Sequence, residues 1–179
     1  EDEFLSIASQ ATNSFVKRIT ESLVNEQYVL GRRTRLQFSP DISNKAIYIQ
    51  TEVSRRDNQS FNGLIVGQGD RAEGYALYMK SNRLFFEVYQ HGQTATVSSR
   101  GVVPNSFTVE ARLVADASLE LLVNGVTQGT AKAMHLFTAP LTFSLRSGED
   151  FDDDRAFTAY GESSRFTGNV NNITVRLAK

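Results

Sequence analysis

The stretch Ala46-Ile47-Tyr48-Ile49-Gln50-Thr51-Glu52-Val53 decides the fold class. On an extended chain Ile47, Ile49, Thr51 and Val53 share one face, while Tyr48, Gln50 and Glu52 share the other. That alternation describes a strand with one buried and one solvated side. Phe107-Thr108-Val109-Glu110-Ala111-Arg112-Leu113 repeats it. Working outward, the same period predicts strands at 34–38, 46–54, 63–66, 75–80, 83–89, 94–99, 107–114, 118–123, 133–138, 141–145 and 170–177. Turn residues punctuate them, among them Ser81-Asn82, His91-Gly92 and Asn124-Gly125; the last pair suits a two-residue hairpin turn with positive φ at both positions. So many short strands, with no helical pattern between them, exclude βαβ folds. The expectation is an all-β, two-sheet antiparallel jelly-roll sandwich whose apolar faces meet in the middle. No repeat of fixed period points to a solenoid or propeller.

The first residues read differently. Leu5, Ala8, Ala11 or Thr12, Phe15, Ile19 and Leu23 recur three or four apart without proline or glycine, which predicts an amphipathic N-terminal helix over 4–24. The chain then divides into a helix and linker, 1–30, and a sandwich, 31–179.

Composition narrows the function classes. The 179 residues carry 19 basic and 20 acidic side chains and a formal charge of −1, which supplies no net field for nucleic acid or an anionic surface. No apolar run is long enough to span a bilayer, so neither nucleic-acid binding nor membrane insertion is expected. Absence of cysteine removes disulfides, thiolate clusters and a thiol nucleophile, and it suits an oxidising compartment. His91 and His135 are the only histidines, and no His-Glu-x-x-His or Gly-x-Ser-x-Gly element occurs. Gly67-x-Gly69 runs into the strand-like Tyr75-Ala76-Leu77-Tyr78, not a helix, and so is no phosphate loop. No catalytic residue is assigned.

Two sets of side chains remain as candidates. Asp150, Asp152, Asp153 and Asp154 crowd like charges that a calcium ion would relieve, with Asp150 and Asp152 as first ligands and Glu149 next; Arg155 or solvation would relieve them as well. Calcium is therefore the one cofactor considered. Without tryptophan, a platform for sugar rings would come from Tyr48, Tyr75, Tyr78, Tyr89 or Tyr160. Glu87, Glu110 and Glu120 read as solvated strand positions, not a catalytic pair across a cleft. Arg32, Arg33 and Arg35 form a basic cluster that reads as a surface feature or as partners of acidic neighbours.

Gly63-Leu64-Ile65-Val66-Gly67-Gln68-Gly69, then Gly74-Tyr75-Ala76-Leu77-Tyr78-Met79-Lys80, Leu119-Glu120-Leu121-Leu122-Val123-Asn124-Gly125 and Phe166-Thr167-Gly168-Asn169-Val170 resemble, in that order, the concanavalin A-like and laminin G-like jelly rolls. The text looks most like the accessory domain of bacterial arylsulfatase-like proteins. The resemblance covers residues 44–177 and implies a curved sandwich that binds sugars or proteins, sometimes with calcium at the rim. It departs at Asp70 and at Ser81-Asn82, and no sulfatase nucleophile motif is present. Together these readings predict a non-catalytic accessory or interaction module of an exported bacterial protein, periplasmic or extracellular, docking on a neighbouring domain, a protein surface or a glycan. The alternatives are a carbohydrate-binding, lectin-like domain and a jelly-roll glycoside hydrolase or lyase.

Overall fold

The computed structural model describes residues 25–150 and 164–179. The helix expected over 4–24 lies outside them. The strands are β1 (Asn25–Leu30), β2 (Ala46–Ser54), β3 (Gly63–Gly69), β4 (Glu73–Lys80), β5 (Arg83–Gln90), β6 (Gln93–Ser98), β7 (Ser106–Leu113), β8 (Ser118–Val123), β9 (Val126–Lys132), β10 (Arg146–Ser147), β11 (Asn169–Val170) and β12 (Ile173–Ala178). They form two antiparallel sheets. The larger runs β1-β12-β2-β7-β8-β9, with β11 also on β2, and the smaller runs β10-β3-β4-β5-β6. The jelly-roll sandwich expected from the alternation is therefore present.

Alternation builds the core directly. Ile47, Ile49 and Val53 on β2, Val109, Ala111 and Leu113 on β7, and Leu119 and Leu121 on β8 turn inward. They meet Tyr75, Leu77 and Met79 of β4 and Leu84, Phe86 and Val88 of β5. Hairpin turns set the register: Ser81-Asn82, His91-Gly92 and Asn124-Gly125 each hold both residues at positive φ, the two-residue geometry whose twist matches the flanking strands. One buried amide sits among the apolar side chains. Gln68 donates to the Ser39 hydroxyl and the Pro40 carbonyl, and accepts from the Tyr75 hydroxyl at 3.0 Å, so its burial is compensated.

The structure corrects the expected strands in four places. Asn25–Leu30, placed by periodicity at the end of the helix and linker, is edge strand β1 and pairs with β12 from Asn25 opposite Ala178 to Leu30 opposite Ile173. Residues 34–38 make only one bridge, Arg35 to Arg146, together with single backbone bonds from Leu36 to Leu145 and from Ser147 to Thr34. Residues 133–138 are not a strand. Their apolar content comes from Phe137 and Ala133 filling the core, while the carbonyls of His135 and Phe137 accept from the Gln90 side chain and the Asn44 amide in place of a ladder. Residues 141–145 likewise bury Leu141 and Leu145 in irregular backbone, and the Ser39 hydroxyl donates to the Leu141 and Phe143 carbonyls. Among the described residues no helix is long and apolar enough to cross a membrane.

Candidate functional site

The outward side chains of the larger sheet come from the polar half of the alternation, and the strand pairing lines them up in rows. One row runs Gln27, Arg176, Tyr48, Arg112, Glu120 across β1, β12, β2, β7 and β8. The adjacent row runs Val29, Thr174, Gln50, Glu110, Leu122. Between them lies a shallow hollow of about 240 Å³, lined by Gln27, Tyr48, Gln50, Glu110, Arg112 and Arg176 among others. Strands from near both ends of the described chain thus supply one polar floor.

Its electrostatics are locally balanced. The Arg176 guanidinium lies over the Tyr48 ring, 4.2 Å from the centroid, which fixes both planes by cation–π attraction. Arg112 donates to Glu110 and, at 3.3 Å, to Glu120, and the carboxylate bonds hold its guanidinium above the usual arginine range. Two guanidinium groups, two carboxylates and two amides offer donors and acceptors in fixed planes with no net charge. That combination suits a neutral, hydroxyl-rich ligand, whose vicinal hydroxyls both donate and accept. Glu110 and Glu120 engage one guanidinium side by side and do not face each other across a cleft, an arrangement without the opposed pair that glycoside hydrolysis uses.

The four described tyrosines of the set expected to carry sugars do not converge. Tyr48 stands in the hollow just described. Tyr75 is fully buried in the core and offers no ring face to solvent. Tyr78 and Tyr89 sit on the outer side of the smaller sheet, opposite Phe85 and Gly74 respectively. There Tyr78 stacks on Phe85 with centroids 5.2 Å apart and planes 9° from parallel, and Tyr89 donates to the Asp70 carbonyl. Burial raises the Tyr78 and Tyr89 hydroxyls above the usual phenol range. Beside Tyr78, Glu87 is held above the ordinary carboxylate range by burial, against the opposing effect of the Tyr78 hydrogen bond. Tyr160 lies outside the described residues.

Both described carboxylates of the expected calcium loop are paired with arginine. Glu149 accepts from Arg33 at 2.5 Å, and Asp150 accepts from Arg146 Nε at 2.8 Å with both side chains fully buried. Asp152 lies outside the described residues, as do Asp153 and Asp154. Among the described residues no group of three or more histidine, aspartate or glutamate side chains is placed to hold a metal. Arg112, Arg176, Gln27, Gln50 and Thr174 were not singled out from sequence. Alternation puts each of them on a polar face, yet only the strand order brings those faces together.

No family model and no curated protein matches the sequence. Solved structures do share its shape. The Ruminococcus gnavus IT-sialidase CBM40, in complex with alpha2,3 sialyllactose, superposes with a TM-score of 0.59 at 13% identity, covering 86% of this chain and 91% of that one. Domains LG4-5 of the mouse laminin alpha1 chain give 0.56 at 16% identity, covering 86% of this chain and 39% of that one. A NanB sialidase mutant from Streptococcus pneumoniae gives 0.59 at 13% identity, covering 83% of this chain and 26% of that one. The chain therefore spans well under half of the laminin and NanB chains. At these identities the likeness establishes the fold, a concanavalin A-like jelly roll of the kind seen in CBM40 and laminin G domains.

Proposed function

We propose that the chain is a non-catalytic binding module that takes a saccharide on the polar face of its larger sheet. The observation that carries this reading is the Arg176 guanidinium stacked on Tyr48 beside the Arg112, Glu110 and Glu120 cluster, all on an open sheet floor. Aromatic and guanidinium planes give a sugar ring a flat, partly apolar seat, and the amides and carboxylates around them read its hydroxyls. The sialyllactose in the CBM40 structure supports a saccharide as ligand on this fold. Kinship with accessory domains of sulfatase-like proteins belongs to the same proposal: the module would serve an exported bacterial protein, periplasmic or extracellular, whose chemistry lies elsewhere.

A glycan array on the intact chain, with and without chelator, tests the reading. Binding that is lost in Tyr48→Ala and Arg176→Ala, while both variants keep the wild-type melting temperature, is the expected result. Wild-type binding retained in both variants would remove the site. Docking on a neighbouring domain or protein is the second reading, favoured by Val29 and Phe38, which are 54% and 56% exposed at the β1 side of the sandwich. An array without hits, together with a partner captured through Phe38, would favour it.

A further inference from the structure

The row that floors the hollow does not stop at Glu120. Glu120 pairs with Thr130 of β9, so Gln27, Arg176, Tyr48, Arg112, Glu120 and Thr130 stand side by side on β1, β12, β2, β7, β8 and β9, the full width of the larger sheet. Five strand spacings of about 4.8 Å make the row roughly 24 Å long, several times the length of one sugar ring. Alternation produces it: ladder partners share a face, and the next residues along, Leu177, Ile49, Ala111 and Leu121, turn into the core.

The ends and the middle of the row differ. Gln27 and Thr130, at the two ends, are exposed, so neither edge of the sheet is closed over the row. The four members between them are half-buried and held: Arg176 lies on the Tyr48 ring, and Arg112 is bonded to Glu110 and Glu120. Groups fixed before a ligand arrives lose little freedom when it binds. A site that reads the terminal sugar of a glycan has to enclose it, as pockets that bury most of a small ligand do. A shallow hollow of about 240 Å³ in a row with two exposed ends gives no such enclosure; it seats a chain that enters over one edge of the sheet and leaves over the other.

We propose that the larger sheet binds an internal segment of a linear, uncharged polysaccharide laid across its strands. That a saccharide binds at all rests on the reading of the sheet floor above; the length of the row and its exposed ends select the internal segment. Calorimetric titration of the intact chain with cello-, xylo-, manno- and chito-oligosaccharides of two to six units tests it. In the ladder that binds, affinity is expected to rise about threefold to tenfold with each ring added beyond the disaccharide, the scale of one net hydrogen bond, and the matching soluble polymer is expected to bind at least as tightly as the hexasaccharide. The double variant Gln27→Ala, Thr130→Ala changes only the two ends of the row. It is expected to weaken the hexasaccharide about threefold or more and to leave the disaccharide at its wild-type value, a length dependence that a general loss of structure does not produce. Affinity that levels off at the disaccharide, or a hexasaccharide bound equally by wild type and double variant, would overturn the internal segment and leave the saccharide reading standing. Terminal glycans bound on an array with none of the four ladders bound would do the same. No saccharide bound in either format would remove the sheet-floor reading and this inference together.

Discussion

Replacing Asp150 with alanine tests a fully buried ion pair. Arg146 is a fully buried side chain of β10, and among the described residues its guanidinium donates from Nε to Asp150 at 2.8 Å, from Nη1 to the Ser144 carbonyl at 3.0 Å and from Nη2 to the Gly69 carbonyl at 3.0 Å. Asp150→Ala leaves the cation in place and removes the carboxylate bonded to its Nε. Breaking a buried pair in this way costs about 3–5 kcal/mol. The two carbonyl bonds survive the substitution, so the low end applies, roughly 3 kcal/mol. For a chain of this size each kcal/mol moves the melting temperature by about 2–4 °C, which predicts a fall of roughly 6–12 °C by calorimetry. Urea unfolding supplies the free energy directly. The double variant Arg146→Met, Asp150→Leu removes both charges and is expected near the wild-type value, since the desolvation of the pair disappears with it. A loss below about 1 kcal/mol in Asp150→Ala would show that the Asp150 carboxylate is not what keeps Arg146 buried.

Two carboxylates should respond to pH in opposite senses. Glu26 is held below its usual range by hydrogen bonds from Lys45 and then Tyr28, the latter a phenol pushed up to about 12 by burial. A depressed folded pKa gives stability that is present above the unfolded value and lost as pH falls through the folded one, so Glu26→Gln is expected to weaken the protein at neutral pH and match wild type in acid. Glu87, raised by burial, contributes stability that is complete below its unfolded pKa and lost as pH rises; Glu87→Gln should therefore be the more stable form at neutral pH, with the gap closing in acid. Urea midpoints measured across the acid range check both, and a pH-independent difference in either variant would contradict its assignment. Gly148→Ala forces a side chain into left-handed backbone against the Arg32 carbonyl, and a loss of at least about 1–3 kcal/mol is expected in the same assay. With Glu149 and Asp150 each held by an arginine, millimolar calcium is expected to leave the melting temperature unchanged; a rise that a chelator reverses would support the calcium loop expected from the sequence.

Much of the sandwich was legible because the central strands of its larger sheet, β2, β7 and β8, alternate between buried and more exposed positions. β2 and β8 fall at the positions expected from alternation, and the Asn124-Gly125 hairpin has the predicted geometry. β1 was not legible: as an edge strand of six residues it turns only Tyr28 and Leu30 of its apolar side chains toward the core, too few to outweigh the helical spacing just before it. Residues 133–138 and 141–145 show the opposite error. Phe137, Leu141 and Leu145 are as buried as strand residues, but side chains of Gln90 and Ser39 satisfy the backbone that a ladder would otherwise pair. The polar floor was half visible. Alternation placed Tyr48 outward, whereas the neighbours that give it a chemical context, Arg176 and Arg112, sit 128 and 64 positions further along and become adjacent only through the order β12-β2-β7.

The pairing of β1 with β12 gives the polar floor a mechanical character. Asn25 lies opposite Ala178, so tension applied at these two residues peels the strands apart from one end and loads the ladder bonds one after another, not all at once. Gln27 and Arg176 are partners in that same zipper, two steps in from where it opens. A ligand reaching from Gln27 across Arg176 to Arg112 would act as a staple over three strand spacings of about 4.8 Å each, and the force needed to open the edge would rise with its occupancy. A pull on the edge would in turn loosen such a ligand, since it draws Gln27 away from Arg176.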